Sequence, residues 1–204
     1  MAPRSRAQSN QLRSESRAKL LQAARMLFAS QGYFACKVGD IAREAGMSHG
    51  NVYWYFSSKE EILQEILAEG FGAIETMTAD VADAPGTARR KIDLLVGRTL
   101  GLYSEHGEFT RILGTLMGHG GQELLASLGF DMAEIGGRYH ANLARLFEQA
   151  RREKVVADIA PNILALFYFS FFNGALITYA DRWPELDPAV VRQTVLRMLG
   201  VPKA

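Results

Sequence analysis

Cysteine is nearly missing from this chain: Cys36 is the only one in 204 residues. One thiol closes no internal disulfide and builds no thiolate metal cluster, so nothing here requires an oxidising compartment. An apolar leader is missing too, because the first stretch, MAPRSRAQSNQLRSES, is polar and basic, unlike a secretory signal. Both absences point to the cytoplasm. Strand-type alternation is scarce, and no internal repeat or low-complexity segment stands out. Catalytic signatures are also wanting. No glycine-rich loop after a strand ends in Gly-Lys-Ser/Thr, and the one G-x-S-x-G spacing, Gly46-Met47-Ser48-His49-Gly50, has no strand before it to make a nucleophile elbow. The histidines, His49, His106, His119 and His140, do not pair at ligand spacing. The cluster SEHGE, with Glu105, His106 and Glu108, reads as a solvated turn, and MGHGGQ (117–122) as a flexible helix junction. No catalytic residue, metal or cofactor is therefore expected.

Acidic residues are scarce in the front quarter. Residues 1–59 carry nine Lys and Arg against three Asp and Glu, a charge of +6, which leaves −5 for the rest of a chain whose net charge is +1. A basic front on an acidic remainder suits a polyanion partner for the front end. Hydrophobic residues make up 48% and charged residues 22%, as in an ordinary globular protein.

What the chain has in quantity is helical periodicity. Leu20, Ala24, Leu27 and Phe28 lie on one face of a helix over about 16–31, ended by Gly32. Short helices follow at about 38–45 and 49–55, the second with Ser48 as its N-cap. Ser58 and Glu61 form a capping box, each side chain satisfying a free backbone N–H, that opens a long helix over about 58–82. Further helices are predicted at about 87–105, 108–117, 122–152, 162–180 and 188–199. The stretch NILALFYFSFFNGALITY is apolar on every face. It falls short of the roughly 20 residues of a membrane span, so it reads as a helix buried on both sides, against its own core and against a second subunit.

Residues 38–55 fit a helix-turn-helix. Small Ala42 lies where two helices must approach closely, and Gly46 occupies the turn, where φ > 0 suits glycine. Ile41, Ala45, Met47, Val52 and Tyr55 supply an apolar frame. Such a unit projects the start of its second helix into the major groove. The stretch IAREAGMSHGNVYWYFSSKEEIL, with LLQAARMLFASQGY before it, resembles the DNA-binding domain of tetracycline-repressor-like (TetR family) transcriptional regulators over about residues 14–64. The resemblance implies an all-α protein in which a basic flexible arm (1–14) precedes a three-helix helix-turn-helix domain (15–60). A larger helical domain (61–204) would then hold a small effector and join two copies through its last two long helices. It also implies a homodimer on a palindromic double-stranded DNA operator, most simply as a repressor. An activator, a co-repressor-dependent regulator, or a helical enzyme using the second-domain cavity remain as alternatives.

The run Tyr53-Trp54-Tyr55-Phe56 cannot face one core. Val52 and Phe56 are one turn apart and are expected inside. Tyr53 and Tyr55 can send hydroxyls to phosphates, and Trp54 can lie on the sugar-phosphate edge or a thymine methyl. Ser48, His49, Gly50 and Asn51 lead the recognition helix, where Asn51 can pair with an adenine edge. The resemblance assigns Lys59 to a phosphate. Lys37 stands where the family often has a Ser or Thr cap. That substitution loses about 1 kcal/mol of capping and places a cation near DNA. Cys36 beside it reads first as a quiet loop or packing thiol, and second as a redox-responsive one whose pKa Lys37 lowers slightly. Aromatic and methionine side chains give the second domain ample apolar surface, so an apolar or aromatic effector is expected. Candidate contacts are Tyr103, Met117, His119, Tyr139, His140, Phe167 and Asn173. An amide such as that of Asn173, set inside an apolar helix, needs a partner, either the ligand or a group across the dimer interface.

Overall fold

A computed structural model describes residues 6–105, 107–117, 120–179, 183 and 185–202. Among these residues there are ten helices and no strand. They are α1 (Arg6–Gln31), α2 (Val38–Glu44), α3 (His49–Val52), α4 (Lys59–Asp83), α5 (Ala88–Glu105), α6 (Gly107–Leu116), α7 (Gly121–Ser127), α8 (Met132–Arg152), α9 (Pro161–Tyr179) and α10 (Pro188–Met198). No described helix is long and apolar enough to cross a membrane.

Three boundaries differ from the sequence reading, one of them the end of α3 at Val52 and not near 55. Helix α1 starts at Arg6 and not near 16. Its extra turns are polar and exposed, with Gln11 hydrogen bonded to Glu15 at 3.0 Å, so hydrophobic periodicity gives no sign of them. The single helix expected over 122–152 is two. Helix α7 stops at Gly129, whose φ is +85°. Asp131 then caps α8, its Oδ1 accepting the N–H groups of Ala133 and Glu134 at 2.9 and 3.1 Å. The pair Gly129–Asp131 is a C-terminal stop followed by an N-cap.

Two apolar cores form, and α4 runs through both. The first contains Leu20, Ala24 and Phe28 of α1, Ile41 of α2, Val52 of α3 and Ile62, Leu63, Ile66 and Leu67 of α4. It also takes in Phe109, Ile112 and Leu116 of α6 and Leu125 of α7. The second is built from α5, α8, α9 and α10 on the far end of α4, with Val81, Ile92, Leu95, Leu146, Phe147, Leu164, Phe172 and Val195. The ion pairs Arg17–Glu65 and Arg25–Glu69 tie α1 to α4. At partly exposed positions such pairs add little stability, but they fix how the two helices face each other.

At Gly70, α4 comes close to α6. A Cβ built there would lie 2.1 Å from Cδ2 of the Phe109 ring, and Phe109 is buried. Gly70→Ala is therefore expected to force α6 off α4, at about 1–3 kcal/mol for overpacking. Thermal melting measures this. An unchanged melting temperature would mean that α6 slides freely on α4.

Helix α9 is apolar all round, but it is not buried all round within the chain. Leu164, Ala165, Tyr168 and Phe172 face the second core, while Ile163, Leu166 and Phe167 are exposed. On α10, Val195 and Leu196 are buried, and Val190 and Met198 are exposed. Between the two helices runs an open groove of about 250 Å³, lined by Phe167, Phe171, Val195 and Met198 among others.

Candidate nucleic-acid interface

The first helix of the unit, α2, is capped from an unexpected side. Lys37 stands at the N-cap position and makes no side-chain cap. Asp40, three residues on, accepts the Lys37 backbone N–H at 3.0 Å and the Arg43 guanidinium at 2.6 Å. The backbone N–H first, and then Arg43, hold the Asp40 carboxyl below its usual pKa. The acidic half of a capping box thus survives without its hydroxyl half, which offsets part of the cost expected from Lys37.

The turn follows from two small residues. Ala42 is buried against neighbouring helices, and Gly46 adopts φ +68°. That left-handed geometry lets Met47 N–H reach back to Ala42 O at 2.8 Å, closing α2. Ser48 then opens α3, its Oγ accepting the Asn51 N–H at 3.3 Å. Its leading residues, His49, Gly50 and Asn51, are all exposed, and no other atom crowds Gly50. Helix α3 proper ends at Val52, and Tyr53–Tyr55 continue as a turn, with Tyr55 N–H and Phe56 N–H bonded to Val52 O at 2.9 and 3.0 Å.

The aromatic run divides by burial. Val52 and Phe56 are inside, each 1% exposed, as their spacing predicts. The Arg17 guanidinium covers the Phe56 ring at 4.7 Å. Tyr55 is half-buried and packs on the first core. Tyr53 and Trp54 are 49% and 79% exposed. The Tyr53 ring meets His49 edge-on at 5.3 Å, which steadies both side chains on the exposed face.

Lys59 has an internal task. Its Nζ donates to Tyr33 O and Cys36 O, both at 2.9 Å, and lies 4.1 Å over the Tyr33 ring. The ammonium therefore binds the α1–α2 turn to the start of α4. The capping box below it is also shifted by one residue. Ser58 Oγ accepts the Glu61 N–H at 3.1 Å, but Glu61 reaches the Ser57 N–H and hydroxyl, at 2.5 and 2.6 Å, in place of Ser58. Tyr33 OH donates to Glu60 at 2.9 Å. Burial, and then this carboxylate, push the phenol pKa well up.

Cys36 is buried, and burial raises its pKa against the lowering effect of Lys59. The thiol packs, which is the first of the two readings its position suggests, and Lys37 is not among the groups that lower its pKa. Two residues on this face escape the sequence reading. Phe34 is 62% exposed, just before α2, and Tyr33 anchors both it and Lys59. The signal is the aromatic pair in GYFACK, directly after the Gly32 stop.

In the second domain the candidate contacts separate. Tyr103 is buried and stacked on Phe172 at 5.4 Å with 3° between ring planes. Tyr139 and His140 flank Phe169, at 5.3 and 5.1 Å. Phe167 and Met117 are exposed large side chains. The Asn173 side-chain amide donates to Phe169 O of its own helix at 2.9 Å. His119 and His106 lie outside the described residues. No group of three or more His, Cys, Asp or Glu able to hold a metal ion occurs among the described residues.

The profile of bacterial regulatory proteins of the tetR family matches residues 20–66. The fatty acid metabolism regulator protein of Bacillus subtilis (strain 168) is 34% identical over 85 residues, 41% of this chain and 43% of that protein. The aligned stretch thus spans less than half of that relative. The transcriptional repressor DhaR of Mycobacterium sp. (strain GP1) is 24% identical over 178 residues, 81% of this chain and 82% of that protein. In three dimensions the chain is similar to the FadR regulator of Bacillus subtilis solved with stearoyl-CoA. The TM-score is 0.68 at 23% identity, covering 89% of this chain and 96% of that one.

Proposed function

We propose that this chain, whose residues 20–66 match the profile of bacterial regulatory proteins of the tetR family, is a member of that family and a dimeric, effector-controlled transcriptional repressor without catalytic activity. The observation that carries the reading is the exposed, N-capped start of α3, where His49, Gly50 and Asn51 stand clear on a rigid two-helix brace. Residues 15–60 bind DNA and 61–204 bind effector and partner subunit, with the basic residues 1–14 leading into the duplex. Lys37, Ser48, Tyr53, Trp54 and Tyr55 meet the backbone, and Lys59 holds the platform from which they do so.

Two copies joined through the exposed faces of α9 and α10 place two α3 helices about one DNA turn apart, roughly 34–36 Å. An effector releases the operator by binding better to a state with another spacing, and it shifts that balance only by its differential affinity. Helix α4 links the two cores without a break, and α6 packs on it. The effector is apolar or aromatic, in keeping with the aromatic lining of the second core; the Bacillus subtilis FadR structure holds stearoyl-CoA, whose acyl chain is apolar and whose CoA part is anionic.

The test is operator selection from random duplexes, followed by binding at several salt concentrations. A strong salt dependence from counterion release is expected. Asn51→Ala is expected to relax preference at one base pair in each half-site, costing about 1–3 kcal/mol there. Retention of the full wild-type sequence preference by this variant removes α3 as the reading helix.

A further inference from the structure

We propose that His49 binds operator DNA in its protonated form, so that each protomer takes up a proton on binding and operator affinity falls as the pH rises from about 6 to 8. The proposal rests on the reading of α3 as the helix that meets the duplex. It adds to that reading an input that needs no effector.

His49 is the first residue of α3 and is exposed. Two neighbours seat its ring. The Tyr53 ring meets it edge-on at 5.3 Å, with 69° between the planes. Helix α2 approaches it at Gly39, where an added Cβ would stand 3.6 Å from His49 Cδ2. A long side chain at position 39 would compete for the space that the imidazole occupies, so the glycine keeps that seat open. A ring already held in this way loses less freedom when it meets a partner.

The charged groups of the adjoining elements are engaged elsewhere. Among the described residues no carboxylate pairs with His49. On α2, Asp40 accepts from the Lys37 N–H at 3.0 Å and from Arg43 at 2.6 Å. Arg43 is about one turn from Gly39 and shares its side of α2, whereas Asp40 and Glu44 lie roughly 100–140° round that helix. Arg17 of α1 is held by Glu65 and the Phe56 ring. At the start of α4, Lys59 donates to Tyr33 O and Cys36 O, Glu60 accepts from Tyr33 OH, and Glu61 accepts from Ser57. No internal counter-ion therefore competes with the duplex for this side chain.

The chemistry of an imidazole then sets the sign. Histidine is the side chain whose charge ordinarily changes between about pH 5 and 8. Protonated, it donates from both ring nitrogens and carries a charge that suits a phosphate oxygen or the O6 and N7 edge of guanine. Neutral, it keeps one donor and no charge. A nearby anion favours the charged form, so the complex holds the proton more tightly than the free protein does. The contact is complete at the acid end and is lost as the pH rises, and by linkage DNA binding takes up protons.

The experiment uses the full chain, a duplex selected at pH 6 from random sequences, and wild type, His49→Lys and His49→Gln. Affinity is measured across the pH range at constant salt. Proton uptake is measured at neutral pH by calorimetry in buffers of different ionisation enthalpy. Wild-type affinity should fall at least tenfold across the range, with an uptake of about 0.5–2 protons per dimer. His49→Lys carries a constant charge and should stay near the acid wild-type affinity throughout. His49→Gln keeps a donor without a charge and should stay near the weaker alkaline value. Any pH dependence from His106, His119 and His140 is common to all three proteins. The two acceptors are told apart on the same samples. A phosphate contact steepens the salt slope at the acid end by about 0.9 per protomer and leaves sequence preference alone. A guanine contact also sharpens the preference at one base pair in each half-site. Wild-type affinity that stays constant across the range, or a fall that persists undiminished in both variants, would overturn the proposal while leaving α3 as the reading helix. A wild type that binds no duplex at any pH refutes the regulator reading, and this proposal with it.

Discussion

Phe167→Arg is expected to give a folded monomer that no longer holds its operator. Phe167 is 57% exposed on α9, beside exposed Ile163 and Leu166, at the rim of the groove that α10 completes with Val195 and Met198. A stable dimer buries about 1,200–2,000 Å² of surface, and a phenylalanine ring at its centre contributes about 1.5–3 kcal/mol when fully covered. An arginine there removes that contribution and adds an unpaired charge to the interface, at a further cost of several kcal/mol. The protomer itself loses little, because the ring is mostly exposed and stands at the edge of the second core. Sedimentation should show monomer mass with unchanged far-ultraviolet dichroism, and operator affinity should fall at least a hundredfold as the two half-sites uncouple. Phe171 is a poorer site for the same change: it is half-buried, so an arginine there would also disturb the protomer. A Phe167→Arg protein that is a dimer with wild-type operator affinity rules out this face.

That choice of residue marks the limit of what the sequence conveys. The helix-turn-helix is legible because each element carries its own local chemistry. Ala42 permits close approach, Gly46 takes φ +68°, Ser48 caps α3, and the i, i+4 pair Val52 and Phe56 turns inward. Reading α9 is harder. When every face is apolar, periodicity no longer says which side meets the core, and Phe167 looks the same as Tyr168 until α8 and α10 are packed on it. The break between α7 and α8 was written in Gly129 and Asp131, but the apolar residues on either side continue a helical rhythm across it. The first ten residues of α1 have no apolar stripe at all, and a polar helix of that kind leaves no periodic trace.

Lys59 is the second large effect, and it separates two roles that one lysine at a helix start can play. A phosphate ligand contributes to DNA affinity and nothing to the free protein. The ammonium of Lys59 instead donates to Tyr33 O and Cys36 O and covers the Tyr33 ring at 4.1 Å, so it acts before DNA arrives. Hydrogen bonds from a charged donor are worth about 1.5–3 kcal/mol each, and a partly exposed cation–π contact about 0.5–1 kcal/mol. Lys59→Met keeps the aliphatic stem, leaves the two carbonyls without their donor and removes the tie between the α1–α2 turn and α4. A stability loss of about 3 kcal/mol is expected, which for a chain of this size lowers the melting temperature by about 6–12 °C. Affinity for all duplexes should fall together, because α2 and α3 lose their fixed angle to α4 while the reading residues stay intact. The slope of log affinity against log salt decides between the roles. One lost phosphate contact reduces it by about 0.9, whereas a lost internal clamp leaves it within about 0.3 of wild type. The latter is expected here, with the drop in melting temperature. Unchanged melting together with the full loss of one unit of salt slope would assign Lys59 to the phosphate and leave the turn to Tyr33 and its bond to Glu60.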